Sequence, residues 1–86
     1  MPRRKMTLLF WVYYMKETAI TTEFIKLQDL LKFASLVSTG GEAKIVISEG
    51  EVAVNGETCL QRGRKLRPGD VVRYHGQELT VVYADQ

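Results

Sequence analysis

From Leu27 onward, apolar side chains return at intervals of three and four. Leu27, Leu30, Leu31 and Ala34 fall at i, i+3, i+4 and i+7, while Gln28, Asp29, Lys32 and Ser35 face elsewhere. That spacing predicts a first helix with one apolar stripe, ending near Leu36 to Ser38. In the following Ser38-Thr39-Gly40-Gly41-Glu42, the pair Thr39 and Glu42 has capping-box spacing. The Thr39 hydroxyl accepts from the Glu42 amide, and the Glu42 carboxylate reaches back. A second helix therefore starts here, with Ala43, Val46 and Ile47 on its buried face and Gly50 closing it in a left-handed turn. The two form a helix-turn-helix.

After Gly50 the period changes to two. Val52 and Val54 alternate with Glu51 and Ala53, and Asn55-Gly56 is the dipeptide that a type I′ hairpin turn requires. Downstream, Pro68-Gly69-Asp70 fits a type II turn, with proline presetting one φ and glycine supplying a positive one. Val71 to Tyr74 and Glu78 to Tyr83 then read as strands joined near His75-Gly76. Upstream, Ala19 to Leu27 mixes β-branched and aromatic residues with polar ones, as a short edge strand or extended lead-in does. The expected fold class is α+β: two short helices packed on a small antiparallel sheet of about four to five strands.

A chain of 86 residues can bury one core but not two. Its 45% apolar and 26% charged residues are those of an ordinary globular protein, not a disordered one. The formal charge of +2 is misleading, because three of the twelve cations, Arg3, Arg4 and Lys5, stand in the first five positions. From Met15 onward nine Lys and Arg face ten Asp and Glu, a net charge of −1. Bulk charge therefore makes no case for a polyanionic partner, and any such case rests on local clustering.

Residues 1–14 carry that basic start and an apolar run, Met6 to Met15, with no small-x-small cleavage pattern after it. The run is shorter than the roughly twenty residues that span a bilayer. The favoured division is an extra N-terminal segment over 1–14, not necessarily native, and a single domain over 15–86; an export or membrane role and an additional strand are the alternatives. The lone Cys59 and distant His75 give neither a disulfide nor metal-ligand spacing.

The strongest chemical signal is the run Gln61 to Arg67, where Arg62, Arg64, Lys65 and Arg67 make four cations in seven residues with no acid. Arg grips phosphate through two donors and Lys acts as a point charge, so the mixture suits a phosphodiester backbone. A merely solvated loop is the competing reading, and the placement between a hairpin and a tight turn argues for display on a rigid scaffold. At the second helix, Gly40 and Gly41 leave the first amides unobstructed at the positive end of the dipole, with Lys44 nearby. Lys26 and Lys32 bracket the first helix. No catalytic residues can be assembled: the only histidine sits in a hairpin turn, Cys59 reads as a small core residue, and Glu49 and Glu51 flank a glycine where they would project into solvent.

The stretch from Phe24 to Val72 resembles the S4-type RNA-binding domain, particularly its small stand-alone bacterial members. The resemblance rests on the leucine-striped first helix, the Gly-rich turn with Ala43 opening the second, Gly50-Glu51-Val52-Ala53-Val54-Asn55-Gly56, and Pro68-Gly69-Asp70. It implies an αL-type motif, two helices on a bent antiparallel sheet with RNA across the helical face. The RNA-facing positions it implies are Lys26, Gln28, Lys32, Thr39, Gly40, Gly41, Lys44, Arg62, Arg64, Lys65 and Arg67; Val52, Val54, Asn55 and Gly56 are architectural. Many members carry Arg or Lys where this chain has Gly40-Gly41, and Asp where it has Gln28, which shifts electrostatic weight to Lys44 and the 62–67 loop. The expectation is a cytoplasmic, non-catalytic bacterial protein that needs no cofactor, metal, membrane or small-molecule substrate. It would bind structured ribosomal RNA in ribosome assembly or maintenance. The alternative is an adaptor of the same fold that binds an acidic protein surface.

Overall fold

The computed structural model describes residues 15–84. Strand β1 (Met15–Ile20) is followed by the short β2 (Ile25–Lys26), helix α1 (Leu27–Phe33), helix α2 (Gly40–Ser48), and strands β3 (Val52–Val54), β4 (Glu57–Thr58), β5 (Lys65–Leu66), β6 (Val71–Tyr74) and β7 (Gln77–Tyr83). Five strands form one sheet in the order β1-β7-β6-β3-β4, and β2 pairs with β5 in a separate two-stranded ribbon. The architecture is α+β, as the alternation of periods predicts.

The sheet is mixed rather than antiparallel throughout. β1 pairs with β7 in parallel, Met15 opposite Glu78 through Ile20 opposite Tyr83, whereas the β3, β4, β6 and β7 neighbours are antiparallel. A parallel pair needs a long crossover, and the helices with the intervening strands provide it. The lead-in expected over 19–27 is also divided differently. The strand lies earlier, at 15–20, where Thr18 and Ile20 alternate inward, and the chain bends before pairing again at Ile25–Lys26. With threonine at an inward position, the apolar alternation that marks a strand is weak there.

Leu27, Leu30 and Leu31 are fully buried, so the α1 stripe packs as predicted, joined by Ala43 and Ile47 of α2 and by Val52, Val54, Leu66, Val72 and Val81. The cap of α2 also forms: the Glu42 amide donates to Thr39 Oγ1 at 3.1 Å. Its reciprocal bond differs in one detail, because the Glu42 carboxylate accepts from the amide of Ser38 at 2.8 Å, one residue before the cap. At the other end Gly50, with φ +76°, donates to the Ile47 carbonyl while Glu51 donates to that of Val46, the paired bonds of a Schellman closure.

Helix α1 ends the same way, but earlier than the apolar spacing suggests. Ser35 takes φ +61°, its amide bonds the Lys32 carbonyl, and that of Leu36 bonds the Leu31 carbonyl. Serine is strained in a conformation that glycine adopts freely. Ser35→Gly is therefore expected to stabilise the protein by about 0.5–1 kcal/mol, raising Tm by roughly 2–8 °C. Thermal unfolding followed by circular dichroism checks this, and an unchanged or lower Tm would refute it.

Both predicted hairpin turns are present. Asn55 and Gly56 have φ of +52° and +87°, and His75 and Gly76 of +51° and +77°. The Asp70 amide donates to the Arg67 carbonyl across Pro68-Gly69, closing that turn as well. Asn55 does more than turn the chain: its Nδ2 donates to Asp70 Oδ1 at 3.1 Å, and its Oδ1 accepts from the Val71 amide at 2.9 Å. Asp70 Oδ2 in turn accepts from the Arg67 amide at 2.8 Å, so one clasp ties the β3–β4 turn to the end of the basic loop.

Candidate nucleic-acid interface

The first amides of a helix need partners from outside it. At α1 the cap residue Lys26 offers no side-chain bond. The basic loop supplies the acceptors instead: Leu27 donates to the Arg64 carbonyl at 2.8 Å and Gln28 to the Arg62 carbonyl at 3.0 Å. Two of the loop's carbonyls are therefore fixed against the helix, and the side chains of Arg62 and Arg64 are left exposed. The ribbon adds a second anchor, pairing Ile25 with Leu66 and Lys26 with Lys65. Leu66 is fully buried, and strand alternation turns Lys65 and Arg67 outward on either side of it.

A track leads from this loop onto the helices. Gln28, bonded to the loop through its amide, is half-buried one turn before the exposed Lys32. Lys32 Nζ lies so close to the start of α2 that a methyl group on Gly40 would stand 3.9 Å from it. Lys44 follows Gly40 by one further turn on the same helical face and is exposed, as are Thr39 and Gly41. The structure thus gathers Lys26, Gln28, Arg62, Arg64, Lys65 and Arg67 at one end of α1. It places Lys32 beside the N-terminal turn of α2, which carries Thr39, Gly40, Gly41 and Lys44.

Among the described residues, no carboxylate lies within 4.0 Å of the charged groups of Lys26, Lys44, Arg62, Arg64, Lys65 or Arg67; Lys32 meets Asp29 at 4.0 Å on an open surface. Lys26 and Lys65 stand directly opposite across the ribbon, an arrangement of like charges that destabilises a strand pair unless an anion sits between them. Asp70 feels the charges of Arg64 and Arg67. Burial opposes its ionisation, but the Arg67 amide, the Asn55 carboxamide and the charges of Arg64 and Arg67 outweigh that and hold its carboxyl below the ordinary value.

One residue beside the loop went unread in the sequence. Phe24 brings its ring within 4.8 Å of Lys65 Nζ and 5.8 Å of Arg67 Cζ. The signal that could have found it is parity: Phe24 and Lys26 share a face of β2 and its lead-in, across from Arg67 and Lys65.

Elsewhere the candidate chemical groups are engaged or buried. Cys59 is in the core, and His75 Nε2 meets the Glu51 carboxylate at 2.9 Å on the surface. Among the described residues no three His, Cys, Asp or Glu side chains gather as a metal-binding group. Nor is any described helix long and apolar enough to cross a membrane. Residues 1–14, and with them the division at Met15, lie outside the described residues.

Comparison with known proteins places this geometry. The chain is 50% identical over 58 residues to the probable ribosome maturation protein RlbA of Bacillus subtilis, covering 67% of this chain and 82% of that protein. It is 36% identical over 58 residues to the putative RNA-binding protein YbcJ of Escherichia coli, covering 67% of this chain and 83% of that one. The solution structure of Escherichia coli YbcJ, described as revealing an ALFAL motif involved in RNA binding, superposes with a TM-score of 0.59 at 30% identity, over 81% of this chain and 87% of that one. The ribosomal protein S4e of Thermoplasma acidophilum gives a TM-score of 0.59 at 26% identity, over 77% of this chain and 35% of the other. Residues 18–82 match the sequence profile of the S4 domain, and the chain belongs to that family.

Proposed function

We propose that the protein binds structured RNA without catalysing a reaction, acting on ribosomal RNA or a ribosomal particle during assembly or maintenance in the bacterial cytoplasm. The observation that carries this reading is the basic loop stapled by its own carbonyls to the first helix, with its cations outward and without carboxylate partners among the described residues. Its RNA contacts are Lys26, Gln28, Lys32, Thr39, Gly40, Gly41, Lys44, Arg62, Arg64, Lys65 and Arg67. Such a surface engages phosphates, and the shape of the folded RNA supplies selectivity, because helical RNA hides its major groove. The names of the relatives, one a ribosome maturation protein and one an RNA-binding protein, support the same direction.

The test is fluorescence anisotropy of the full chain with a folded ribosomal RNA fragment, titrated in salt. About five phosphate contacts, each contributing −0.7 to −0.9, give a log-log slope of roughly −3.5 to −4.5. A slope near zero would reject the reading. The net charge of −1 from Met15 onward favours a second one, an adaptor that uses the same basic face on an acidic protein. Failure of RNA to compete for a captured protein partner would select it.

A further inference from the structure

The structure points to Phe24 as a positioning residue for the basic loop, and this rests on the RNA-binding reading above: we propose that its ring holds Lys65 and Arg67 in the orientation that meets phosphate. Lys and Arg side chains are rotamer-rich, and fixing them on a ligand ordinarily opposes binding. Here both cations lie over one aromatic ring, at 4.8 Å and 5.8 Å from its centroid, so part of that freedom is already lost in the unbound protein. The ring is itself held. Phe24 is half-buried, the Thr22 hydroxyl donates to its carbonyl at 2.9 Å, and the next two residues form β2, paired with β5. Continuing the β2–β5 register by one residue puts Phe24 opposite Arg67 and two pairs from Lys65, on the same face, while Lys26 faces Lys65 directly. Without the ring, the repulsion between Lys26 and Lys65 would swing the ammonium groups apart and disperse the charge.

Phe24→Leu keeps apolar bulk and removes the π face; Phe24→Trp keeps the face. With the full chain and a folded ribosomal RNA fragment, Phe24→Leu is expected to bind about three- to tenfold more weakly than wild type, and Phe24→Trp to match or exceed wild type. The salt slope stays within one contact of wild type, since the cations can still reach phosphate once ordered. The upfield ring-current shift of the Lys65 methylene protons disappears in Phe24→Leu, while Tm stays within a few degrees. Three results would overturn the proposal: equal affinity of Phe24→Leu and wild type, equal loss in Phe24→Leu and Phe24→Trp, or no ring-current shift in wild type. If wild type binds RNA with the expected slope but is indifferent to Leu at position 24, this proposal alone falls. If wild type shows no salt-sensitive binding, the RNA reading falls and this one with it.

Discussion

Reversing the loop with Arg62→Glu, Arg64→Glu, Lys65→Glu and Arg67→Glu together is expected to weaken binding to a folded ribosomal RNA fragment by about a thousandfold at 0.1 M salt. Each phosphate contact contributes about 0.7–0.9 to the salt slope, which amounts to roughly sixfold in affinity at that salt concentration, and four contacts multiply to about a thousand. The fold survives because the groups that anchor the loop are not the ones changed. The bonds to Leu27 and Gln28 come from the carbonyls of Arg64 and Arg62, and the buried anchor Leu66 is untouched. Glutamates beside the positive end of α1 even complement its dipole. Circular dichroism and Tm close to wild type would certify the variant, and anisotropy would read the loss. A folded variant that keeps affinity within tenfold, with an unchanged slope, would move the contact away from the loop and onto Lys32, Lys44 and the start of α2.

What is legible in the sequence follows a physical division. The α1 stripe, the Thr39 cap, Gly50 and the Asn55-Gly56 turn are set by side chains acting on backbone a few residues away, and each stands where its spacing predicts. Three features depend on something else. Ser35 ends α1 in a conformation whose usual marks are glycine or asparagine, so the stripe through Ala34, with an end expected near Leu36 to Ser38, suggests a longer helix than forms. β1 hides its period behind Thr18 and finds its partner, β7, some sixty residues later. The capping of α1 by the loop runs through carbonyls, which every residue has, so no side-chain pattern announces it. The candidate cations were legible as a cluster, but the reason they converge on α1 is non-local backbone bonding.

The clasp that closes the loop gives the largest expected stability effect. Asn55→Asp keeps an acceptor for the Val71 amide but replaces the donor that faces Asp70 Oδ1 at 3.1 Å with a second carboxylate. The loss of a charge-assisted bond and the new repulsion together should destabilise the protein by about 2 kcal/mol at pH 7 and low salt, lowering Tm by roughly 8–16 °C. The pH dependence separates the two proteins. In wild type the depressed Asp70 value means its contribution is present above the unfolded value, about 3.9, and is lost as pH falls through the folded one. In the variant the facing carboxylates raise one value of the pair, so the deficit is full at neutral pH and shrinks as acid supplies a shared proton. Urea unfolding at a series of pH values should therefore show the two stabilities converging towards about pH 4. Adding Asp70→Asn to Asn55→Asp exchanges the partners. The carboxylate at 55 then accepts from the Val71 amide and from the new carboxamide, whose oxygen accepts from the Arg67 amide, so most of the loss at pH 7 should return. If the double variant is no more stable than Asn55→Asp, or if Asn55→Asp matches wild type at pH 7, the clasp does not hold the turn. If it does, RNA affinity should follow the same cycle, because the amide that Asp70 grips belongs to Arg67.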